Sequence, residues 1–374
     1  MKTILSMVLW QACLFGGIHL QAQILTDSRA TKQTEALYGN LSKLAEHHIL
    51  FGHQHATEYG HGWVGNDFTR SDVKSVTGSH PAVIGVDFNG LSGKPDSAVA
   101  KAKLWLIKNI EATYSRGGVT TAAWHFINPV SAGGFYWVDT VSKPAVKYII
   151  PGGSFNEGYK KILNNIADVA KGCRGKNGEA IPIIFRPFHE LDGDWFWWGK
   201  SHCSVAEFKT LWQFTVTYLR DSLQVHNFIY AFSPDCKFTS ADEYSERYPG
   251  NNWVDIAGFD DYADFGRDGK YDLVTGLKKL KIVSNFAAQN GKLAAFTETG
   301  LESVADSNWY TQSLLKTLKQ AQLKLAYVLV WRNDSKSATH FYTPFPGHAG
   351  VPDFIKFYND DYTWFEKDLP GLYK

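Results

Sequence analysis

Net charge is almost absent from this sequence: 38 lysines and arginines stand against 37 aspartates and glutamates, leaving +1 over 374 residues. So balanced a chain offers no basic field for nucleic acid or an anionic membrane. Cysteine is scarce as well. Its four positions, Cys13, Cys173, Cys203 and Cys236, form no CxxC pair and no Cys/His spacing of the structural-zinc kind. Beyond the N-terminus no run approaches the ~18 apolar residues needed to cross a bilayer. Low-complexity linkers, internal repeats and long single-sign charge runs are also missing. A doubly wound nucleotide-binding sheet needs a glycine-rich first turn, and "FGHQHATEYGHG" stands there instead.

Aromatic residues are abundant, at 15% with 13 tryptophans. Large rings dominate core burial, but this number leaves enough to line a cleft. The N-terminus reads as an export signal spanning 1–22: Lys2, the apolar "ILSMVLWQACLFGG", then "LQAQ" with cleavage after Ala22. Lipidation of Cys13 is disfavoured by the short apolar run before it and by its Trp10-Gln11-Ala12 setting. The mature chain, 23–374, is expected to be a secreted or periplasmic monomer. Its three cysteines allow one bridge and a free thiol, or three buried thiols.

Eight apolar runs recur, each turning polar at its end: 48–55, 82–89, 119–129, 181–190, 228–235, 256–264, 293–300 and 326–334. Continuous apolar runs are the mark of buried parallel strands. Segments 97–117, 159–172, 205–221 and 273–291 between them carry apolar residues at helical spacing. Eight strand–helix units predict an α/β fold: a single (β/α)8 TIM barrel with enlarged loops at the C-terminal face of the strands, where catalytic groups collect.

On that count Glu190 ends strand 4 and Glu298 ends strand 7, across the barrel mouth from each other. Paired carboxylates over a cleft are what retaining glycoside hydrolysis requires, one as proton donor and one as nucleophile. A glutamate at a strand end is more often a cap or an ion-pair member. Glu190 resists that reading because Arg186 and His189 precede it and Trp195, Trp197 and Trp198 follow. Regular alternation would put Arg186, Phe188 and Glu190 on one face, with Arg186 deep enough to hold a carboxylate, and aim His189 away unless the strand bulges. Asp192 and Asp194 read as loop or capping residues, and Trp197 and Trp198 as loop packing.

"RPFHE" (186–190) with its Trp-rich loop, "TETG" (297–300) and "WRND" (331–334) resemble glycoside hydrolase family 26, whose founding activity is endo-β-1,4-mannanase; the resemblance spans roughly 30–370. It implies Glu190 as acid/base, Glu298 as nucleophile, a retaining mechanism, and no metal or organic cofactor. It also implies sugar-binding roles for Trp124, His125, His189, Trp195, Tyr262, Trp331 and Arg332, with Tyr262 bonded to the nucleophile, and leaves Arg186 as a support. The expected substrate is a β-mannan polysaccharide or manno-oligosaccharide such as mannan, glucomannan or galactomannan. A mannobiose-releasing exo habit, or action on β-glucan or xylan, is the alternative within the family. The loops 56–68 and 133–144 are expected to wall the cleft.

Two readings of other classes compete. His53-x-His55 at the end of strand 1 fits a metal-dependent amidohydrolase barrel, although strand 4 brings no lysine and strands 5 and 6 end without histidine. A non-catalytic glycan-binding barrel would need no carboxylate pair at all.

Overall fold

The computed structural model describes residues 25–320 and 323–374, so the export signal and Cys13 lie outside the described residues. Eight parallel strands close on themselves: β1 (Ile49–Gln54), β2 (Val83–Asp87), β3 (Val119–Ala123), β4 (Ile183–Arg186), β5 (Phe228–Phe232), β6 (Ile256–Asp260), β7 (Leu293–Thr299) and β8 (Leu325–Val330). Each pairs with the next, and β8 returns to β1 with Leu50 opposite Tyr327 and His53 opposite Val330. A two-residue strand, β9 (Thr363–Trp364), pairs with the start of β1. The predicted (β/α)8 barrel is therefore present. Seven of the eight expected runs contain a strand and the eighth overlaps one that begins a residue earlier, at Leu325; the strands stop short of the runs' ends, because the polar tails are the loops of the barrel mouth.

Alternation along the strands divides the core into two layers. Leu50, Ile184, Ile229, Ala231, Ile256, Ala295 and Leu329 fill the barrel interior. Phe51, Phe185, Phe228, Phe259 and Phe296 face outward to the helices. The helices α1 (Lys32–Leu44), α2 (Asp96–Ser115), α3 (Asn156–Gly172), α4 (Val205–Thr217) and α5 (Leu273–Gln289) bury one stripe each. In α4 that stripe is Phe208, Leu211, Trp212, Thr215 and Val216, at helical spacing. Ser204 and Glu207 start it with a reciprocal capping box, a cap of the kind whose loss costs about 1 kcal/mol. Leu37, Tyr38 and Leu41 of α1 join the interior layer, and Tyr38 donates to the carbonyl of Asp255, just before β6. This plugs the N-terminal end of the barrel and leaves the C-terminal end as the open mouth. No helix among the described residues is long and apolar enough to cross a membrane. Cys173, Cys203 and Cys236 are all free thiols.

Candidate active site

Two local departures from regular strand geometry bring the carboxylates together. In β7, Phe259 of β6 pairs with Phe296 but Asp260 pairs with Glu298, so Thr297 is an extra residue. Unbroken alternation would turn Glu298 outward with Phe296. The bulge re-aims it into the mouth. Beyond β4 the backbone enters the left-handed region at Phe188 (φ 50°) and Glu190 (φ 53°), unusual for residues with a side chain. The expected common face of Arg186, Phe188 and Glu190 is thereby broken. Phe188 swings to the outer layer beside Trp198, Phe208 and Trp212. Glu190 stays at the mouth, its N–H donating to the carbonyl of Ser233 at 2.8 Å.

Arg186 does not hold Glu190. Its guanidinium donates to Glu298 Oε2 at 2.5 Å, to Asp260 Oδ2 at 2.6 Å and to the Ser233 hydroxyl at 3.1 Å. Tyr262 donates to the other Glu298 oxygen at 2.7 Å, the bond the family resemblance implied. Thr297 steadies Asp260 at 2.7 Å. Glu298 is thus fixed by a cation on one oxygen and a phenol on the other. Glu190 receives a single side-chain donor, Trp195 Nε1, at 2.6 Å on Oε2.

Electrostatics separate the two glutamates further. Glu190 is 9% exposed. Burial, then the charges of Glu298, Asp260 and Asp235, push its carboxyl well above the ordinary glutamate range, with only the Trp195 bond opposing. Burial likewise raises Tyr262, reinforced by Glu298, so its phenol remains a donor. One oxygen from each of Glu190, Asp260 and Glu298 lies within 4.8 Å of the others. It is the one acid/histidine group among the described residues close enough to hold a metal ion, and Arg186 already supplies its positive charge.

Around the glutamates lies a cleft of about 280 Å³. His125, just past β3, forms one side. Asp87 at the end of β2 accepts from its Nδ1 at 2.5 Å and from its backbone N–H at 3.1 Å, which leaves Nε2 for the cleft. Burial alone would raise the Asp87 carboxyl, but the contacts with His125 outweigh it and hold it low. His189 packs edge-on against His125, ring centroids 4.7 Å apart. Burial and the charge of Arg186 keep it neutral, its pKa well below the usual histidine value. Tyr136, Trp195 and Phe196 make a wall, in which the loop after β3 is zipped to the loop after β4 by Trp137 N–H to Trp195 O at 2.7 Å. Trp331, half-buried after β8, faces His125 across 5.7 Å. Tyr342, His340 and Arg267 complete the lining.

One of the expected sugar contacts is placed differently. Trp124 is fully buried in the outer layer, stacked on Phe126 at 4.1 Å and near Phe188, so it cannot meet a sugar. It points outward because it continues the alternation of β3, whereas the next residue, His125, faces the mouth. Arg332 bonds Asp334 at 2.5 Å, and its guanidinium stands 5.8 Å from the Tyr59 ring. Trp197 and Trp198 are core residues whose indoles donate to the carbonyls of Phe126 and His189. Asp192 accepts the backbone N–H groups of Asp235 and Lys237, and Asp194 that of Ser201, the loop roles expected.

The His53/His55 pair forms no donor set. His53 is encased, and burial together with His55 pushes its pKa down to about 3. His55 bonds Glu58 at 2.7 Å. Sequence reasoning missed Asp87, Asp260 and Ser233, the partners that orient His125, Arg186 and Glu190. Each sits at or just past the polar end of a strand, a signal the strand count offered but did not rank. Tyr342 lies in a loop well beyond β8, where nothing in the local sequence points to the cleft.

Residues 26–313 match the model of the family described as Glycosyl hydrolase family 26. Among curated proteins, a mannan endo-1,4-beta-mannosidase of Bifidobacterium adolescentis is 34% identical over 357 residues, covering 89% of this chain and 34% of that protein. The chain therefore spans about a third of that relative's length. Among solved structures, a GH26 beta-mannanase from Bacteroides ovatus is 36% identical with a TM-score of 0.83, covering 92% of this chain and 98% of that one. The catalytic domain of a Bacillus sp. JAMB-750 GH26 endo-beta-1,4-mannanase is 35% identical with a TM-score of 0.87, over 95% and 96% of the two chains.

Proposed function

The chain belongs to glycosyl hydrolase family 26, and on that premise we propose that it is an endo-acting β-1,4-mannanase working by double displacement, with Glu190 as acid/base and Glu298 as nucleophile. The observation that carries the mechanism is the spacing of the two carboxylates. Oxygens of Glu190 and Glu298 lie within 4.8 Å of each other, close to the ~5–5.5 Å of retaining enzymes and short of the ~6.5–9.5 Å that leaves room for a water in inverting ones. The choice of mannan, and of internal cleavage, is supported by the relatives, which are mannan endo-1,4-beta-mannosidases and an endo-beta-1,4-mannanase.

The wiring supports such a reaction. A sugar ring rests its apolar face on Trp331 while hydroxyls meet His125 and His189. Glu190 arrives protonated, and its Oε1, free of the Trp195 bond, gives the proton to the leaving glycosidic oxygen. Glu298, oriented by Arg186 and Tyr262, attacks the anomeric carbon and becomes an ester. Its charge is then gone, which removes the second-largest influence raising Glu190. Glu190 now sits lower and accepts a proton from the water that cleaves the ester. Export of the chain is supported by the sequence of its N-terminus, and N-terminal sequencing of secreted protein checks it.

Product analysis on mannan, glucomannan and xylan tests the proposal. A ladder of manno-oligosaccharides from the first two is expected; release of mannobiose alone, or preference for xylan, would overturn it.

A further inference from the structure

We propose that a side pocket between the loops after β6 and β7 binds a neutral pyranose branch carried by the mannan backbone, with Arg267 as its selecting donor. This rests on the mannanase reading above and extends it to the class of mannan preferred. The pocket measures about 220 Å³. Tyr262, Arg267 and Tyr342 border both it and the catalytic cleft, so the two spaces adjoin. The backbone must pass between Glu190 and Glu298, with Trp331 beneath and the Tyr136–Trp195 wall on the β3–β4 side. β7 lies across the mouth from β3, so the pocket opens sideways from that path, past Tyr262.

Its construction is specialised. Gly300 (φ 142°) and Gly266 (φ 112°) form part of its lining, and a Cβ at either would strike Tyr342 at 2.5 Å or Tyr271 at 2.7 Å. Asp268, Ser303 and Val304 hold left-handed backbone around it, a conformation that β-branched Val304 adopts only under constraint from its surroundings. Arg267 stands at the junction, its guanidinium 4.9 Å from the Tyr262 ring and with no carboxylate paired to it among the described residues. Five N–H donors are thus left for a ligand. Asp268 and Glu302 line the same pocket. Glu302 is engaged with His340 Nδ1 at 2.7 Å, which leaves Asp268 as the carboxylate to which a sugar hydroxyl can donate while accepting from Arg267. Tyr342 adds an aromatic ring to the lining, the kind of surface on which C–H groups rest.

The test compares kcat/KM on linear β-1,4-mannan and on galactomannan for the wild type, Ala305→Trp and Arg267→Ala. Ala305 is an exposed pocket residue outside the catalytic cleft, and an indole there fills the space. Ala305→Trp is expected to lower the galactomannan-to-mannan ratio by blocking the pocket; Arg267→Ala, which also borders the cleft, is expected to lower rates on both polymers and the ratio by a further factor of about ten, the value of one good hydrogen bond. A ratio unmoved in either variant, or an equal fall on both polymers as for a backbone subsite, would overturn the proposal. Wild-type inactivity on both polymers would instead overturn the mannanase reading, and this one with it.

Discussion

Glu190, Asp260 and Glu298 crowd together with one cation among them. Arg186 bonds the last two, so the proton that relieves the crowding belongs on Glu190, which has only an indole N–H. Glu190→Gln should lower kcat on mannan by about 10²–10⁴-fold, the usual worth of general acid–base catalysis, and Glu298→Gln by at least as much, with oligosaccharide binding retained in both by calorimetry. Trp195→Phe removes the one influence that lowers Glu190, so the alkaline limb of the kcat/KM profile should move to higher pH while the rate falls about tenfold. The raised carboxyl also bears on stability. At about pH 4 and below, Glu190 is protonated in both folded and unfolded chains and no cost arises. As pH rises, the unfolded chain ionises first, and holding the proton in the fold costs stability until the folded carboxyl ionises too. The Tm of Glu190→Gln relative to wild type should therefore be smallest near pH 4 and grow with pH.

At the scale of elements, the site depends on where strands stop. The residue types of "RPFHE" and "TETG" were readable, and so was their placement at the ends of β4 and β7. Their aim was not, because it comes from two irregularities: the extra Thr297 in β7 and the left-handed turns at Phe188 and Glu190. Alternation is a local rule, and tertiary packing broke it where chemistry needed a different direction. Trp124 shows the reverse: alternation held, and the expected sugar contact became core. The loops are tied by equally invisible links. Asp72 accepts Trp63 Nε1 at 2.6 Å, the His61 N–H at 2.7 Å and Asn333 Nδ2 at 2.8 Å, joining the loop after β1 to the segment that carries Trp331. Asn333 in turn accepts the N–H groups of Tyr342 and Thr343. Asp72→Ala leaves these buried donors unpaired. It should cost roughly 2–3 kcal/mol in denaturant unfolding and raise KM more than it lowers kcat, since Trp331 and Tyr342 lose their footing while the glutamates keep theirs.

The whole molecule is the level at which the sequence was most informative. Eight apolar runs with polar ends suffice for a closed parallel barrel, because an open sheet would have demanded a different first turn and the strands a different burial. The barrel then brings Glu190 and Glu298, far apart in the chain, across one mouth, with α1 sealing the other end. On the proposed mechanism this separation performs two displacements in sequence. Proton NMR of the first sugar released from mannan, read before mutarotation sets in, distinguishes one displacement from two. The close carboxylates predict the β-anomer first, with α appearing only by later equilibration; the α-anomer first would mean a single, inverting displacement.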